Sequence, residues 1–540
     1  GQGAAGMSVA LIASAAYVNQ EMAAEFGPLP PAFLPLGNAR LFCLQAALLR
    51  RLAERIVLSL PQSFQLPAHD ARLLDELKIA VVRVPDGLKL ADSLMLALAQ
   101  SLADDEQLYL LHGDTLFQGL QSFPADGLSV HAGDHPYPWA QMESRNPVRL
   151  SPVGDADMSE TLLASGLFGF SDGRGFLRCL GEARSDFLTA INLYADRHPD
   201  FDGIESCGQW LDLGHLNTYY VSRRSFTTER VFNSLSITRH AVCKSSAQAD
   251  KMMAEALWFE NLPPPLRGHV PAYLGRTSAD RNRPGYHLRY EYLCPLSDLY
   301  VFGAVAPDMW RQILAGCADV LAEMRAYKPA HVERGWFSAL YRAKAVERFR
   351  RFARDGGIDP ERPWTLNGCV LPAPLELIEE MAEVIGPPAE NDAGVLHGDF
   401  CFSNILYDFR RGAVTLVDPR GFVEPGKPDI FGDTRYDIGK LHHSVMGRYD
   451  LILAGYFSLE RVAPHAVLFQ VCGPDCQDAV ERAFREHICA GDPARERVAG
   501  AISVLLHLSM LPLHAEAPRR QLALLANGYR LYQRYFAEAA

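Results

Sequence analysis

The stretch "LHGDFCFSN" (residues 396–404), with "LVDPRG" (residues 416–421) after it, predicts the fold of the second half of the chain. Asp399 and Asn404 are five residues apart, and Asp418 follows an apolar run typical of a strand. Phosphoryl transfer needs a positioned nucleophile, metal ions on the phosphates and cations that neutralise developing charge. An aspartate can accept the proton of a hydroxyl, while an amide and a second carboxylate offer the oxygen ligands that Mg²⁺ prefers. The pattern therefore indicates a site that moves a phosphate.

The residues around this site predict its local structure. "NILYD" and "AVTLVD" flank "FRRG", which predicts a hairpin with Gly412 at its turn. Gly398 gives the loop between Asp399 and Asn404 the freedom to fold back, so that both side chains face one cavity. Asp418, just after the second strand, then lies where it can hold the other side of a metal ion.

The segments before this site alternate between strand and helix. "SITRHAVCK" predicts a strand that ends at Lys244, and "AQADKMMAEALWFENL" predicts a helix that carries Glu255. "YHLRYEYLCPLSDLY" predicts a strand and a connector. From Met309 onward we expect a mostly helical chain, interrupted by the segment around Asp399.

These stretches resemble the protein-kinase-like family of small-molecule kinases, which includes the aminoglycoside phosphotransferases and the choline and ethanolamine kinases. The resemblance covers residues 223–540. It implies an α+β, two-lobed kinase fold, with a small lobe over 223–305 and a larger helical lobe over 306–540. It also implies ATP and Mg²⁺ as cofactors and a small-molecule acceptor, whose hydroxyl belongs to a sugar, an amino sugar or an amino alcohol.

The resemblance also implies roles for the residues named so far. Asp399 would be the catalytic base, and Asn404 and Asp418 would be metal ligands. Lys244 would hold the α- and β-phosphates of ATP, and Glu255 would orient that lysine.

The same resemblance implies further contacts with the nucleotide. "YEYLCPL" would be the hinge, with backbone groups near Glu291 and Leu293 meeting the adenine. "FNSLSITRHAVCK" lacks the glycines of a protein-kinase phosphate loop, and Ser234 and Ser236 are the candidates in their place. Asp437 in "DTRYDIGKL" would be a buried carboxylate that braces the catalytic loop.

Several residues have two interpretations. Arg420 and Arg435 are candidates for contacts with phosphate or substrate, and a structural ion pair is an equal alternative for each. An acceptor with a choline-type cation would favour an aromatic cage. The candidates for that cage are Trp336, Phe337, Tyr341 and Trp364, and a place in the hydrophobic core is their alternative.

The first half of the chain predicts an α/β domain with a mainly parallel, doubly wound sheet. "MSVALIASAA", "LKIAVVRVP" and "EQLYLLHGD" predict strands, and helical patterns such as "LADSLMLALAQSLA" lie between them. Ligands of such sheets bind at the carboxyl ends of the strands. Asp114 follows a strand at such an end.

Residues 7–220 resemble the sugar-phosphate nucleotidyltransferase family, whose fold is GT-A-like. "LPPAFLPLGNARLFCLQAALL", "LLHGDTLF" and "WLDLGHLNTYY" carry the resemblance. It implies that Asp114 and Asp212 hold a divalent ion on the phosphates of a second nucleoside triphosphate or of a nucleotide sugar. The signature loop is degenerate, because "IASAAYVNQEM" has neither glycine nor arginine, and Pro31 stands where the family has a lysine. The domain therefore either catalyses a divergent nucleotidyl transfer or only binds its ligand.

A glycosyltransferase of the same architecture is an alternative for this domain. Such an enzyme usually has an Asp-x-Asp pair, whereas Asp104 and Asp105 are adjacent here.

The composition predicts an ordinary globular protein, with 48% hydrophobic and 21% charged residues. Its net charge of −12 argues against a broad nucleic-acid-binding surface. The chain has no apolar run of the ~18–20 residues that a membrane span needs, and no pattern typical of a signal peptide. Eleven scattered cysteines fit reduced thiols, so we expect a cytoplasmic protein.

Four residues of metal-ligating type lie near one another in the sequence. They are Cys472, Cys476, His487 and Cys489. A zinc site is one interpretation, and ordinary core or surface thiols are the other.

Together these patterns predict a bifunctional enzyme. Its kinase would phosphorylate a small molecule, and its nucleotidyltransferase-like domain would help to make an activated precursor for a surface polysaccharide. A non-catalytic nucleotide-binding or regulatory protein is the alternative. A protein kinase is disfavoured, because "HGDFCFSN" departs from the His-Arg-Asp form and no Ala-Pro-Glu segment follows Asp418.

Overall fold

The computed structural model describes residues 7–132, 137, 140–153, 161–205, 207–224, 233–277 and 284–537, without the side chains of residues 233 and 234. The chain divides into two compact units, Gly1–Phe226 and Thr227–Ala540. Among the helices of the described ranges, none combines the length and the hydropathy that a membrane span requires.

The first unit is an α/β fold around a nine-stranded sheet. Its strands are β1 Ser8–Ala13, β2 Pro35–Leu36, β3 Ala39–Arg40, β4 Arg55–Pro61, β5 Ile79–Val84, β6 Gln107–His112, β7 Thr115–Gln118, β8 Gly127–Ala132, β9 Gln141–Arg145, β10 Val148–Ser151, β11 Leu162–Phe170, β12 Asp202–Ile204 and β13 Gln209–Asp212. Its helices are α1 Gln20–Phe26, α2 Leu41–Leu49, α3 Ala68–Glu76, α4 Leu90–Ser101, α5 Gly173–Glu182, α6 Phe187–Arg197 and α7 Leu216–Arg223.

The sheet has four adjacent parallel strands at one side, and only the pair β8–β12 is parallel elsewhere among its described strands. Strands β6, β1, β4 and β5 are adjacent in that order and parallel, as the sequence predicts. Strand β11 then pairs antiparallel with β6, and β8 and β9 pair antiparallel with β11. A second parallel neighbour, formed by chain that follows β6, would need a crossover helix, and the described residues between β6 and β11 form strands instead. The sheet is therefore mixed rather than mainly parallel.

Helices cover both faces of this sheet. Val9 and Leu11 of β1 belong to a core cluster that includes residues of α4, α5 and α6. The alternating Ala10 and Ile12 are also fully buried and face the opposite side, where α2 contacts β1. Because a strand buried on both faces must be apolar throughout, β1 reads as a continuous hydrophobic run.

A buried ion pair fixes the segment that follows β1. The Arg40 guanidinium donates to both carboxylate oxygens of Asp70, at 3.2 and 2.8 Å, and to the carbonyl of Phe33 at 2.9 Å. The two charged side chains are 5% and 0% exposed. Each charge is therefore compensated inside the unit, and the removal of one partner leaves the other buried.

The second unit has two four-stranded sheets beside a group of helices. Its strands are β14 Asn233–Ile237, β15 Ala241–Ser246, β16 Tyr273–Thr277, β17 Gly285–Arg289, β18 Cys294–Pro295, β19 Trp364–Leu366, β20 Cys369–Leu371, β21 Ala393–Val395, β22 Ile405–Asp408, β23 Ala413–Leu416, β24 Phe431–Asp433, β25 Phe457–Ala463 and β26 Ala466–Val471. Its helices are α8 Ala249–Asn261, α9 Leu296–Phe302, α10 Pro307–Ala326, α11 Ala343–Gly356, α12 Pro374–Ile385, α13 Arg435–Val445, α14 Tyr449–Leu453, α15 Gln477–Ala483, α16 Pro493–Ser509 and α17 Pro518–Tyr535. A three-stranded sheet, β18-β22-β23, which contains the β22–β23 hairpin, and the strand pair β21–β24 complete the unit.

The four-stranded sheet β14-β15-β17-β16 is antiparallel and corrects one expectation. "SITRHAVCK" forms two strands rather than one, because the chain turns at Thr238–His240. Lys244 therefore lies inside β15, opposite Leu235, and not at a strand end. Residues directly opposite each other share a face of the sheet, so Ser236, which faces Cys243, points to the face away from Lys244.

Helix α16 is the centre of the helical part. All its residues from Ala499 to Ser509 are buried, and it contacts α11, α12, α13 and α17. A helix that is buried all round belongs to the core of a large domain. The sequence predicts these helices but not the four-stranded sheet β20-β19-β26-β25, whose strands β25 and β26 alternate between exposed and more buried residues.

The Arg40–Asp70 pair generates a stability prediction. We expect Arg40→Met to lower the free energy of unfolding of the full chain by about 3–5 kcal/mol, because Asp70 would stay buried without its partner. Urea unfolding followed by circular dichroism measures this. The control is Arg197→Met, which removes a pair with Glu182 whose side chains are 46% and 49% exposed. Solvent screens that pair, so the expected loss is below about 1 kcal/mol. Equal losses would contradict the prediction.

Candidate functional site

The loop that carries Asp399 is fixed by a buried carboxylate. Asp437 of α13 is fully buried, and its two oxygens accept the backbone N–H groups of His397 and Gly398, each at 2.8 Å. Burial raises the pKa of Asp437 to about 7, and the two N–H donors oppose that rise. One side chain of α13 thus sets the course of the backbone directly before Asp399.

His397 fixes the same loop from the other direction. Burial lowers the pKa of His397 to about 4, so the ring is neutral at neutral pH. Its Nε2 lies 3.0 Å from the carbonyl of Val417, and its Nδ1 lies 3.2 Å from the backbone N–H of Asp399. Those partners assign the proton to Nε2 and the acceptor role to Nδ1. The histidine therefore links the catalytic loop to the strand end that carries Asp418.

Asp399 is held by two side chains. The Lys440 ammonium lies 2.7 Å from one carboxylate oxygen. The Asn404 amide donates to the other oxygen at 2.8 Å and to the Asp399 carbonyl at 3.0 Å. Because the Asn404 nitrogen is engaged within the loop, its amide oxygen is the atom that can ligate a metal. Lys440 was missed from the sequence, although it follows Asp437 by one helical turn in "DIGKL".

Lys244, Glu255 and Asp418 form a second charged group. The Lys244 ammonium lies 2.6 Å from Glu255 and 3.1 Å from Asp418. Tyr286 also donates to Glu255, at 2.7 Å. Burial by itself would lower the pKa of Lys244, but the carboxylates of Asp418 and Glu255 outweigh burial and raise it. The lysine is therefore a charged group that can meet phosphate oxygens.

The segment after Asp418 lies directly against α8. Gly421 has a φ of +75°, and a Cβ built on it would lie 2.3 Å from the carbonyl oxygen of Ala254. No side chain fits there without displacing the helix that carries Glu255. The backbone N–H of Val417 also donates to the carbonyl of Asn404 at 3.0 Å. The segment around Asp418 thus contacts both α8, which carries Glu255, and the loop that carries Asn404.

The donor set of this site fits Mg²⁺. It offers the amide oxygen of Asn404 and the carboxylate of Asp418, and Mg²⁺ prefers oxygen ligands and is usually held by one or two carboxylates together with substrate phosphates and water. The backbone contact between Val417 and Asn404 keeps the two ligand-bearing segments side by side.

Other residues predicted from the sequence have structural partners. Arg435 pairs with Asp433 at 2.8 Å and donates to the carbonyls of Ile385 and Gly386, which makes it a structural ion pair. Glu291 pairs with Arg289 at 2.8 Å in the connector that also contains Leu293. The side chain of Ser234 lies outside the described residues.

The aromatic candidates do not form an open cage. Trp336, Tyr341 and Trp364 are 3%, 1% and 1% exposed. Tyr341 donates to the buried Asp433 at 2.9 Å, as a core tyrosine does. These three residues therefore belong to the hydrophobic core, and only Phe337 is partly exposed.

The first unit brings together its two predicted aspartates. Asp212 ends β13, which pairs with β7, and the Leu213 N–H donates to the carbonyl of Asp114 at 2.9 Å. Burial raises the pKa of Asp114 to about 6, and the Asp212 carboxylate adds to the rise. Two close carboxylates of this kind favour the binding of a cation between them.

Gly214 passes next to both carboxylates. A Cβ built on it would lie 2.4 Å from an Asp114 oxygen and 3.3 Å from an Asp212 oxygen. Asp212 also accepts from the Gly214 N–H at 3.0 Å and from the Thr218 hydroxyl at 2.7 Å. The pair offers two carboxylates, so a Mg²⁺ ion held there would take its remaining ligands from phosphate and water.

Within the described ranges, no group of three or more His, Cys, Asp and Glu residues is placed to hold a metal ion by protein ligands alone. That holds for the cysteine-rich segment, where Cys472 is exposed while Cys476 and Cys489 are buried. Burial raises the pKa of the Cys476 and Cys489 thiols to about 12, which disfavours the thiolate that a zinc ion needs.

Residues 213–423 match the model of the phosphotransferase enzyme family known as APH. The C-terminal half therefore carries an APH phosphotransferase domain, and this match confirms the kinase-family resemblance of its sequence. A comparison with curated protein sequences gave no match.

Solved structures similar to this chain fall into two groups. One group includes a nucleoside-diphosphate-sugar pyrophosphorylase from Vibrio cholerae, with 14% identity, 40% of this chain and 99% of that chain covered, and a TM-score of 0.33. The other includes a choline/ethanolamine kinase family protein from Mesorhizobium loti, with 11% identity, 56% and 86% covered, and a TM-score of 0.33. It also includes an aminoglycoside phosphotransferase in complex with AMP-PNP and hygromycin B, with 12% identity, 58% and 94% covered, and a TM-score of 0.36.

The carboxylate pair of the first unit generates a pH prediction. The pKa of Asp114 is about 6 against an ordinary value of 3.8, so its contribution to stability is present below about pH 4 and is lost as the pH rises through about 6. We expect Asp114→Asn, in EDTA, to stabilise the protein at pH 7.5 by on the order of 1–3 kcal/mol and to give no gain at pH 4. Denaturant unfolding at both pH values measures this.

The control is Asp104→Asn, whose carboxylate is 92% exposed and which should change stability little at either pH. Mg²⁺ or Mn²⁺ should raise the unfolding midpoint of the wild type and of this control, but not that of Asp114→Asn. A loss of stability in Asp114→Asn at pH 7.5 would contradict this prediction.

Proposed function

We propose that the second unit transfers the γ-phosphoryl group of ATP to a hydroxyl of a small molecule. The observation that carries the proposal is the pair of linked charged groups, with Asp399 held by Lys440 and Asn404, and with Lys244 held by Glu255 and Asp418. A base, a phosphate-binding cation and metal ligands are the parts that phosphoryl transfer requires. The family match over residues 213–423 supports the same reaction class.

The reaction follows from these contacts. Asp399 accepts the proton of the acceptor hydroxyl while the hydroxyl oxygen forms a bond with the γ-phosphorus, and the bond from that phosphorus to the β-phosphate oxygen breaks to release ADP. Lys440 and Asn404 fix the carboxylate so that it faces the acceptor without rearrangement. Lys244 binds the α- and β-phosphates, and Glu255 holds its ammonium in place. Backbone groups near Glu291 and Leu293 meet the adenine.

Asn404 and Asp418 are the residues that would hold Mg²⁺. When bound, the metal supplies positive charge that balances the phosphate oxygens during transfer. The hydrogen bonds of the Asn404 nitrogen orient its amide oxygen before any metal arrives.

For the first unit we propose a site for the phosphates of a second nucleoside triphosphate or of a nucleotide sugar, held through a divalent ion between Asp114 and Asp212. The support is the close contact of the two carboxylates around Gly214. A kinase joined to such a site suits the production of an activated precursor for a surface polysaccharide in the cytoplasm.

The test is ADP release from ATP and Mg²⁺ in the presence of sugars, amino sugars, amino alcohols and their acid derivatives. We expect Asp399→Asn to lower kcat by about 10²–10⁴-fold, because general-base catalysis is lost. Asp355→Asn, a change of the same kind at an exposed site on α11, should leave kcat unchanged.

Retention of turnover in Asp399→Asn would show that Asp399 is not the general base. ATP binding that is measurable by calorimetry, together with no turnover on any acceptor, would favour the non-catalytic nucleotide-binding protein.

A further inference from the structure

Four cationic side chains lie close to one another in the region of the proposed catalytic base. Lys344 and Arg348 lie one turn apart on α11, Arg420 lies in the segment after β23, and Lys440 lies on α13. They come from three separate parts of the chain. Among the residues that the structure describes, the carboxylate that forms an ion pair with this group is Asp399, which pairs with Lys440 at 2.7 Å, and the charge of Glu347 also acts on its neighbour Arg348.

Tyr436 brings two of these cations together. The Lys344 ammonium lies 2.8 Å from the Tyr436 hydroxyl and 5.1 Å from the centre of its ring. Lys440 follows Tyr436 by one turn of α13 and pairs with Asp399. Lys344 therefore lies near Lys440 and the Asp399 carboxylate, although it is 96 residues before Lys440 in the chain.

Arg420 and Arg348 complete the group. The Arg420 side chain packs on Gly398, directly before Asp399, since a Cβ built on Gly398 would lie 2.6 Å from the Cβ of Arg420. The Arg348 guanidinium lies 3.4 Å from the carbonyl of Ser509. Burial, followed by the charges of Arg420, Arg348 and Lys440, lowers the pKa of Lys344 well below its usual range, while Asp399 opposes this. The cations are thus close enough to repel one another.

Arg348, Arg420 and Lys440 give the group an excess of positive charge over the Asp399 carboxylate. Among the residues that the structure describes, Lys344, Arg348 and Arg420 form no ion pair with a carboxylate; their contacts are the Tyr436 hydroxyl, the Ser509 carbonyl and the Phe422 ring. Partly buried like charges without counterions destabilise a fold. In a chain of net charge −12, such a cluster is not explained by overall composition. A bound anion would relieve the repulsion.

We propose that the acceptor carries a phosphate or carboxylate group beside its reacting hydroxyl, and that Lys344, Arg348 and Arg420 bind this group. The proposal rests on the kinase function proposed above. Arginine binds both anions through paired N–H donors. The nucleotide phosphates have their own cation in Lys244, which pairs with Glu255 and Asp418. A cationic acceptor would meet repulsion here and would find Trp336, Tyr341 and Trp364 buried rather than arranged as a cage.

The experiment compares acceptors that differ only in this group. The two series are glycerol, glycerate and glycerol 3-phosphate, and glucose, glucuronate and glucose 6-phosphate, with choline and ethanolamine as cationic acceptors. We expect an anionic member to exceed its neutral counterpart in kcat/KM by about 10–100-fold, as hydrogen bonds to a charged group allow. The carboxylate and phosphate arms distinguish the two kinds of anion.

Variants then test the residues. Arg348→Met and Arg420→Met should each raise KM for the anionic acceptor by about 10–100-fold and leave KM for ATP unchanged. Arg350→Met, at an exposed position on the same helix, is the control and should change neither constant. Unchanged circular dichroism shows that the variants fold. A preference for neutral or cationic acceptors, or a rise in KM for ATP alone, would overturn the proposal while the kinase function stands.

A second measurement separates the two proposals if no acceptor is phosphorylated. Calorimetry with inorganic phosphate should then still detect an anion site in the wild type and in Arg350→Met, with binding weakened in Arg348→Met and Arg420→Met. That result would support the anion site and count against the kinase. Equal phosphate binding in all four proteins, or none in any, would refute the anion site itself.

Discussion

The contact on which the second unit depends is the acceptance of two backbone N–H groups by one buried carboxylate. Asp437 is fully buried, and it fixes the peptides of His397 and Gly398. An unpaired charge at that depth would be costly, so loop and helix stabilise each other. The position of Asp399 follows from this contact, and those of Asn404 and Lys440 follow from their contacts with Asp399.

Local patterns predicted the centre of the candidate site. The Asp399–Asn404 loop, the β22–β23 hairpin and the order of Lys244 and Glu255 depend on residues close in sequence, and their spacing carries the information. The turn at Thr238–His240 was missed, because partial alternation continued across it. Strands β25 and β26 were missed because their half-exposed pattern is weak next to the strong helical patterns around them.

The cationic cluster was beyond sequence reasoning for a different reason. Arg420 was named only as one of two open alternatives, and Lys344, Arg348 and Lys440 were not named. Each lies in an ordinary helical or loop pattern, where a lysine or arginine is normally solvated. Only the packing of α11 against Tyr436 of α13 shows that Lys344 lies within the electrostatic reach of Arg348, Arg420, Lys440 and Asp399.

The contact between Gly421 and Ala254 has a mechanical consequence. Backbone meets backbone there, with no flexible side chain between them to absorb a displacement. A rotation of α8 would therefore shift the segment after Asp418, and a change at Asp418 would be transmitted back to Glu255 and its lysine. The lysine proposed to bind phosphate and the carboxylate proposed to hold the metal would then move together, so that partly assembled states of the site, with one in place and the other displaced, are sterically disfavoured.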